Sequence, residues 1–179
     1  MSLRHTLIPL ATATALLGAG PAMADRTPLD PAIAVLGGVL FPDVPRAGDD
    51  FVYGVELSGN CQFIQPAHGH LRHHLSVTRY KDNPLTMTSA ELNTHYMMTM
   101  SPELSLGIGP GIGYARTEIG SDENGLWAFQ VGGSMHYRMP SNLFIGVEAR
   151  YQFTESARFE GVSRDADNMR VMAKFGTHF

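Results

Sequence analysis

WAFQVGGSMHYRM, residues 127–139, decides the fold. Trp127, Phe129, Val131, Met135, Tyr137 and Met139 alternate with Ala128, Gln130, Gly132, Ser134, His136 and Arg138, so one face is apolar and the other polar. That period of two belongs to a β-strand, because successive side chains of an extended chain point to opposite sides. A Pro140-Ser141-Asn142 turn follows. The alternation then resumes in LFIGVEARYQFT, where Leu143, Ile145, Val147, Ala149, Tyr151 and Phe153 interleave with Phe144, Gly146, Glu148, Arg150, Gln152 and Thr154. Two amphipathic strands joined by so short a turn form an antiparallel hairpin.

The pattern extends in both directions. Downstream, Met169, Val171, Ala173 and Phe175 alternate with Arg170, Met172, Lys174 and Gly176, and Phe179 keeps the apolar phase. Upstream, strands are expected near residues 32–41, 51–64, 69–80, 85–100 and 103–118. That makes eight, the even number an antiparallel barrel of one bacterial chain requires. No segment has helical periodicity. Short connections at 64–68, 101–102 and 140–142 alternate with longer, more charged ones at 42–50, 81–84, 120–125 and 158–167. Such sorting is expected of an all-β, eight-stranded antiparallel up-and-down transmembrane β-barrel, with periplasmic turns at one end and external loops at the other.

The N-terminus supports export. Arg4, the apolar run 7–17 and the small-residue stretch ending Ala22-Met23-Ala24 have the order of a secretory signal peptide. Residues 1–24 are therefore expected to be a signal peptide and residues 25–179 an outer-membrane barrel domain. About 155 residues remain after cleavage, enough for one domain. None of their apolar runs reaches the ~18–20 residues of a membrane helix, so entry into a membrane would be by strands. Cys61 is alone and can form no intrachain disulfide. Losing the leader removes one basic residue, Arg4, and no acid, taking the formal charge from −4 to about −5. A mildly acidic chain is a poor match for nucleic acid.

The polar face is unusual for a soluble protein. It offers Glu56, Arg72, His74, Glu91, His95, His136, Arg138, Glu148, Arg150, Arg170 and Lys174, both signs mixed with small and amide residues. This suits the lumen of an eight-stranded barrel, which is just wide enough for side chains to fill with ion pairs and hydrogen bonds. On the apolar face Tyr53, Tyr96, Tyr114, Trp127, Tyr137, Tyr151, Phe153 and Phe179 are candidates for interfacial girdles. Two features conflict with ideal strands. Pro110 lacks a ladder donor and predicts a bulge, kink or register shift, and His73 and Arg79 fall in the lipid-facing phase of the third strand.

The stretches Leu104-Ser105-Leu106-Gly107-Ile108-Gly109-Pro110-Gly111-Ile112-Gly113-Tyr114-Ala115 and Phe144-Ile145-Gly146-Val147-Glu148-Ala149-Arg150-Tyr151, with the strand ending at Phe179, resemble the small outer-membrane β-barrels that include the transmembrane domain of outer-membrane protein A. The resemblance covers most of residues 25–179 and implies the cell outer membrane of a Gram-negative bacterium. The last strand resembles the signal read by the barrel-assembly machinery, with Val171, Ala173, Phe175 and Phe179 in alternate positions. Thr177 departs from the apolar residue usual there.

Chemistry is less legible. Lipid A deacylases of this size carry His-x-Ser-Asn on the penultimate strand, whereas the corresponding stretch here, Arg150-Tyr151-Gln152-Phe153-Thr154-Glu155-Ser156, has no histidine. Without a base in reach a serine is not activated. A shifted set drawn from His73 or His74, Ser76 and Glu91 is the remaining route to an enzyme. His68, His70, His73 and His74 invite a metal, but no Cys or carboxylate accompanies them at ligand spacing, and a solvated turn is preferred. Gly107, Gly109, Gly111 and Gly113 share the lumen face. No helix follows to make them a phosphate loop, so they are expected to make room for His95, His136 and Arg138, or to leave a water-filled gap.

No catalytic, cofactor or metal residues are assigned, and a non-enzymatic protein is expected. The role is structural or surface-interactive, with the lumen filled by polar and charged side chains. The alternatives are a narrow channel or small-ligand binder and, third, a lipid A-modifying enzyme. The expected partners are outer-membrane lipids, lipopolysaccharide and the assembly machinery, with the barrel a monomer.

Overall fold

The computed structural model describes residues 27–159 and 161–179; the leader expected over 1–24 lies outside the described residues. The strands are β1 (Ala32–Pro42), β2 (Asp50–Asn60), β3 (His70–Asp82), β4 (Leu85–Thr99), β5 (Leu104–Ile119), β6 (Asp122–Arg138), β7 (Leu143–Thr154), β8 (Ala157–Phe159), β9 (Val162–Arg164) and β10 (Asn168–His178). Eight of them close in the order β1-β10-β7-β6-β5-β4-β3-β2, each antiparallel to its neighbours. The seam pairs Ala32 with His178 and Pro42 with Asn168.

Alternation along each strand becomes inside and outside. β7 reads buried at Phe144, Gly146, Glu148, Arg150 and Gln152, and exposed at Ile145, Val147, Ala149, Tyr151 and Phe153. The exposed belt around the middle of the barrel is apolar, from Val35 and Val55 to Trp127 at 60 % and Phe175, with charged outward residues such as Arg79, Arg116 and Glu118 towards its external end. Such a belt suits hydrocarbon around it, and closure leaves no free sheet edge towards lipid. Aromatics gather towards the end opposite the chain termini, where Tyr114 meets Trp127 edge-on at 5.4 Å and Phe129 stacks on Phe153 at 6.4 Å. Tyr96, Tyr137, Phe175 and Phe179 lie towards the terminus-bearing end, which is periplasmic in barrels of this construction.

Several sequence expectations change. β2 stops at Asn60, so the periplasmic connection spans 61–69 and is not short. The reason is a competing set of partners: Asn60 N–H donates to Leu29 O (2.6 Å) and Cys61 N–H to Leu71 O (2.8 Å). At the external end β3–β4 and β5–β6 meet at tight turns, 83–84 and 120–121, the latter turning on Gly120 with φ +63°. Charged residues expected in a loop, Asp122 and Glu123, are paired strand residues, which water outside the membrane tolerates. Connection lengths therefore do not sort by end. The segment expected as a loop over 158–167 holds the β8–β9 hairpin, which turns at Gly161 with φ +78°. Pro110 keeps its partner Val131 and causes no register shift; the ladder to β4 is only interrupted between Asn93↔Gly111 and Tyr96↔Ile108.

The inward face is not polar throughout. Towards the external end Leu36, Leu40, Val52, Tyr80, Leu85, Met87, Leu126 and Met172 form an apolar core, closed from above by Val44, Phe159 and Ala166 of the connections. Each full burial of a Leu-sized or Phe-sized side chain stabilises by about 1.5–3 kcal/mol. β1 and β10 approach so closely beside this layer that a Cβ on Gly38 would lie 2.0 Å from Val171 O.

Candidate functional site

Below the apolar layer, mid-barrel, three acids and three bases interlock. Arg150 of β7 donates to Glu91 of β4 (2.9 Å), Glu148 of β7 (2.7 Å), Glu56 of β2 (3.4 Å) and Ser76 of β3 (3.3 Å). Arg170 of β10 donates to the other oxygen of Glu91 (2.5 Å), to Gln152 (2.7 Å) and to Thr78 (3.1 Å). Lys174 bridges Glu56 (2.6 Å) and Glu148 (2.5 Å). Strand alternation places all six side chains inside, and each is nearly or fully buried. Charge balances within the group, which a buried cluster needs, since an uncompensated ion in low dielectric costs several kcal/mol.

Two histidines extend the cluster. His74 Nδ1 lies 2.9 Å from Glu56 Oε1, and His95 Nδ1 lies 2.8 Å from Ser134 Oγ, with the two rings 5.0 Å apart. Their Nε2 atoms, with Glu148 Oε1 and the amide nitrogens of Asn93 and Gln130, have no protein partner. Such atoms are hydrogen-bonding points for internal water.

At the periplasmic mouth a second cluster forms around Asp30, just before β1. Asp30 takes hydrogen bonds from Arg138 and from Arg72 (3.2 Å), and its Oδ1 lies 3.0 Å from His178 Nδ1. Burial works against its ionisation, but the His178 hydrogen bond and the charges of His178, Arg138 and Arg72 prevail and hold the carboxyl well below its ordinary value of 3.8. His136 Nε2 is 3.1 Å from His178 Nε2, and a cleft of about 160 Å³ opens beside them.

Of the residues expected in the lumen, Glu56, His74, Glu91, His95, Glu148, Arg150, Arg170 and Lys174 are buried there, Arg72 is buried at the periplasmic mouth, and His136 and Arg138 sit at that mouth too. The shifted enzyme constellation does not assemble. His74 is taken by Glu56, Ser76 and Glu91 by Arg150, and His73 faces outward against Thr94. The four clustered histidines are dispersed too: His68 is exposed in a connection, His70 is at the mouth, His73 faces outside and His74 inside. Among the described residues no three His, Cys, Asp or Glu side chains are placed to hold a metal. The lumen glycines make room for neighbours other than two of the three expected. A Cβ on Gly107 would meet Met97, Ser134 and His95, and one on Gly111 would meet Asn93. Sequence reasoning missed Asp30, which lies outside any periodic segment, and His178, whose inward phase in β10 was available.

No protein-family model matches the chain, and no curated protein matches it. Solved structures with the same fold do. Neisserial surface protein A superposes with a TM-score of 0.62 at 12 % identity, over 83 % of this chain and 97 % of that one. Ail, the attachment invasion locus protein of Yersinia pestis, gives 0.55 at 14 %, over 86 % and 100 %. The outer-membrane enzyme PagL gives 0.51 at 15 %, over 81 % and 97 %. An apolar exterior, a charged interior and this likeness define the class: the chain is a small eight-stranded outer-membrane β-barrel. The similar structures have different roles, so the shared fold leaves this chain's role to its own lumen and surface.

Proposed function

We propose that this protein is a closed outer-membrane barrel whose role is structural or surface-interactive, and that it neither conducts solutes nor modifies lipid. The supporting observation is the filling of the lumen in two successive layers, the Glu56–Glu91–Glu148–Arg150–Arg170–Lys174 network and the apolar layer from Leu36 to Met172. A solute passing through would have to break charge-assisted bonds of 2.5–2.9 Å and then displace packed Leu and Met side chains. The histidine nearest a serine, His95, is fully enclosed, so no substrate acyl chain reaches it from lipid.

Lipopolysaccharide and the surrounding lipids are the proposed partners of the outer surface. β10, with Val171 and Phe175 outward, together with Phe179 just after it, is the segment proposed to engage the assembly machinery. Planar-bilayer recording tests the first point: the expected result is a silent membrane with the folded barrel inserted, and a reproducible unitary conductance would favour a narrow channel instead. Incubation with lipid A, followed by mass analysis of released fatty acid, tests the second; turnover would favour the enzyme reading.

A further inference from the structure

The apolar belt around the barrel is uneven in height. On β6 and β7 it descends through Phe129↔Phe153, Val131↔Tyr151, Gly133↔Ala149, Met135↔Val147 and Tyr137↔Ile145 without one charged side chain. On β3 and β4 the continuous apolar rows are Val77↔Ala90 and Leu75↔Leu92, with Leu71↔Tyr96 resuming only beyond a polar row. Below them His73 faces Thr94, and above them Arg79 faces Thr88 and Lys81 faces Thr86, all in the outward phase.

The two polar edges differ. The lower one is satisfied within the protein, His73 Nδ1 lying 2.9 Å from Thr94 Oγ1. The upper one is not: among the described residues no carboxylate lies within ion-pair distance of Arg79 or Lys81, whereas the neighbouring Arg116 is paired with Glu123 at 2.5 Å. The register runs Tyr53↔Arg79↔Thr88↔Arg116 across β2 to β5, so Arg79 is level with an outward aromatic of the external girdle. That is the height at which hydrocarbon gives way to headgroups.

We propose that Arg79 and Lys81, with the hydroxyls of Thr86 and Thr88, form a binding site for the phosphate of an outer-leaflet glycolipid of the lipid A type. The inference rests on the outer-membrane reading of the barrel. The site opens sideways into the leaflet, so its occupant is itself a lipid. A guanidinium matches phosphate bidentately, a lysine adds a point charge, and threonine hydroxyls complete the oxyanion's hydrogen bonds. The short belt on this face draws the phosphate deeper than elsewhere around the barrel, where partial exclusion of water strengthens each contact. Glu118, opposite Thr86 on β5, bounds the site on that side and keeps the anion over β3.

The test uses the full-length barrel folded in phosphatidylcholine nanodiscs, with bisphosphorylated lipid A, the same lipid dephosphorylated, or phosphatidylglycerol as probe. Native mass spectrometry counts the probe retained by the released protein. Retention of the bisphosphorylated lipid is expected to exceed either alternative by about tenfold and to fall by about tenfold in Arg79→Gln/Lys81→Gln. An Arg158→Gln/Arg164→Gln control should retain it fully. Equal retention of the dephosphorylated lipid, equal retention of phosphatidylglycerol, or an unchanged double variant would each overturn the site. A heat-modifiable gel band verifies folding of each variant, and the three-lipid comparison on the unmutated protein decides even if a variant fails to fold. If the unmutated protein itself never gives that band in lipid, the outer-membrane reading has failed, and not merely the lipid site.

Discussion

Replacing Arg150 by methionine probes the lumen most directly. Its guanidinium is fully buried and is the cation that reaches all three carboxylates, at 2.9 Å from Glu91, 2.7 Å from Glu148 and 3.4 Å from Glu56. After the change Arg170 still holds Glu91, and Lys174 is the one Arg or Lys left to Glu56 and Glu148, with the His74 ring beside Glu56, so the three carboxylates face two permanent cations in the interior. Breaking a buried ion pair from one side costs about 3–5 kcal/mol. Were the lumen wet enough to behave as surface, the loss would be about 0–1 kcal/mol. The two cases differ enough to decide between them. The assay is urea unfolding of the barrel in lipid vesicles, followed by loss of the heat-modifiable band and by emission of Trp127. Adding Glu148→Gln to Arg150→Met restores charge balance, and the double variant should recover at least ~1 kcal/mol relative to the sum of the single losses. A single-variant loss below ~1 kcal/mol, or strict additivity in the double variant, would refute the buried, interlocked network.

Three further outcomes are expected. Asp30 has a depressed folded-state pKa, so its contribution is fully present above the ordinary carboxylate value of 3.8 and is lost as pH falls below it. Asp30→Asn should remove that part of the acid sensitivity, as seen in unfolding midpoints between neutral pH and pH 3, and an identical pH profile in the variant would contradict the clamp on His178, Arg138 and Arg72. Phe159→Ala empties the external cap and should cost about 3–5 kcal/mol, with faster proteolysis of the 155–167 connection as the sign that the hairpin has come loose. Gly38→Ala would set a methyl 2.0 Å from Val171 O across the seam, so a reduced yield of closed barrel is expected on refolding gels.

Much of the architecture is legible because a strand's period of two is local. Trp127 to Met139 and Leu143 to Thr154 declare two faces before any partner is known, and the register found between β6 and β7 keeps each face intact. The inward phase of Glu56, Glu91, Glu148, Arg150, Arg170 and Lys174 follows from the same rule. The small errors have local causes as well. Asp122 and Glu123 resemble a loop in composition, yet extend a hairpin that stands in water. Residues 61–64 are β-prone, yet their end of β2 is tied down by the chain around Leu29.

By itself the sequence determined most of the strands, their faces, the closed antiparallel class and the charged residues of the mid-barrel network. Only the tertiary structure decided which of those residues touch. Pairing across the lumen joins Glu56 to Lys174 and Glu91 to Arg170, partners on strands far apart in the chain and brought into reach only by closure of the sheet. Closure also decided that Asp30 reaches His178, that Phe159 caps an apolar layer, and that the belt is short over β3 and β4. Periodicity fixes the direction in which a side chain points, whereas its partner depends on stagger and curvature around the whole barrel, which no local pattern encodes.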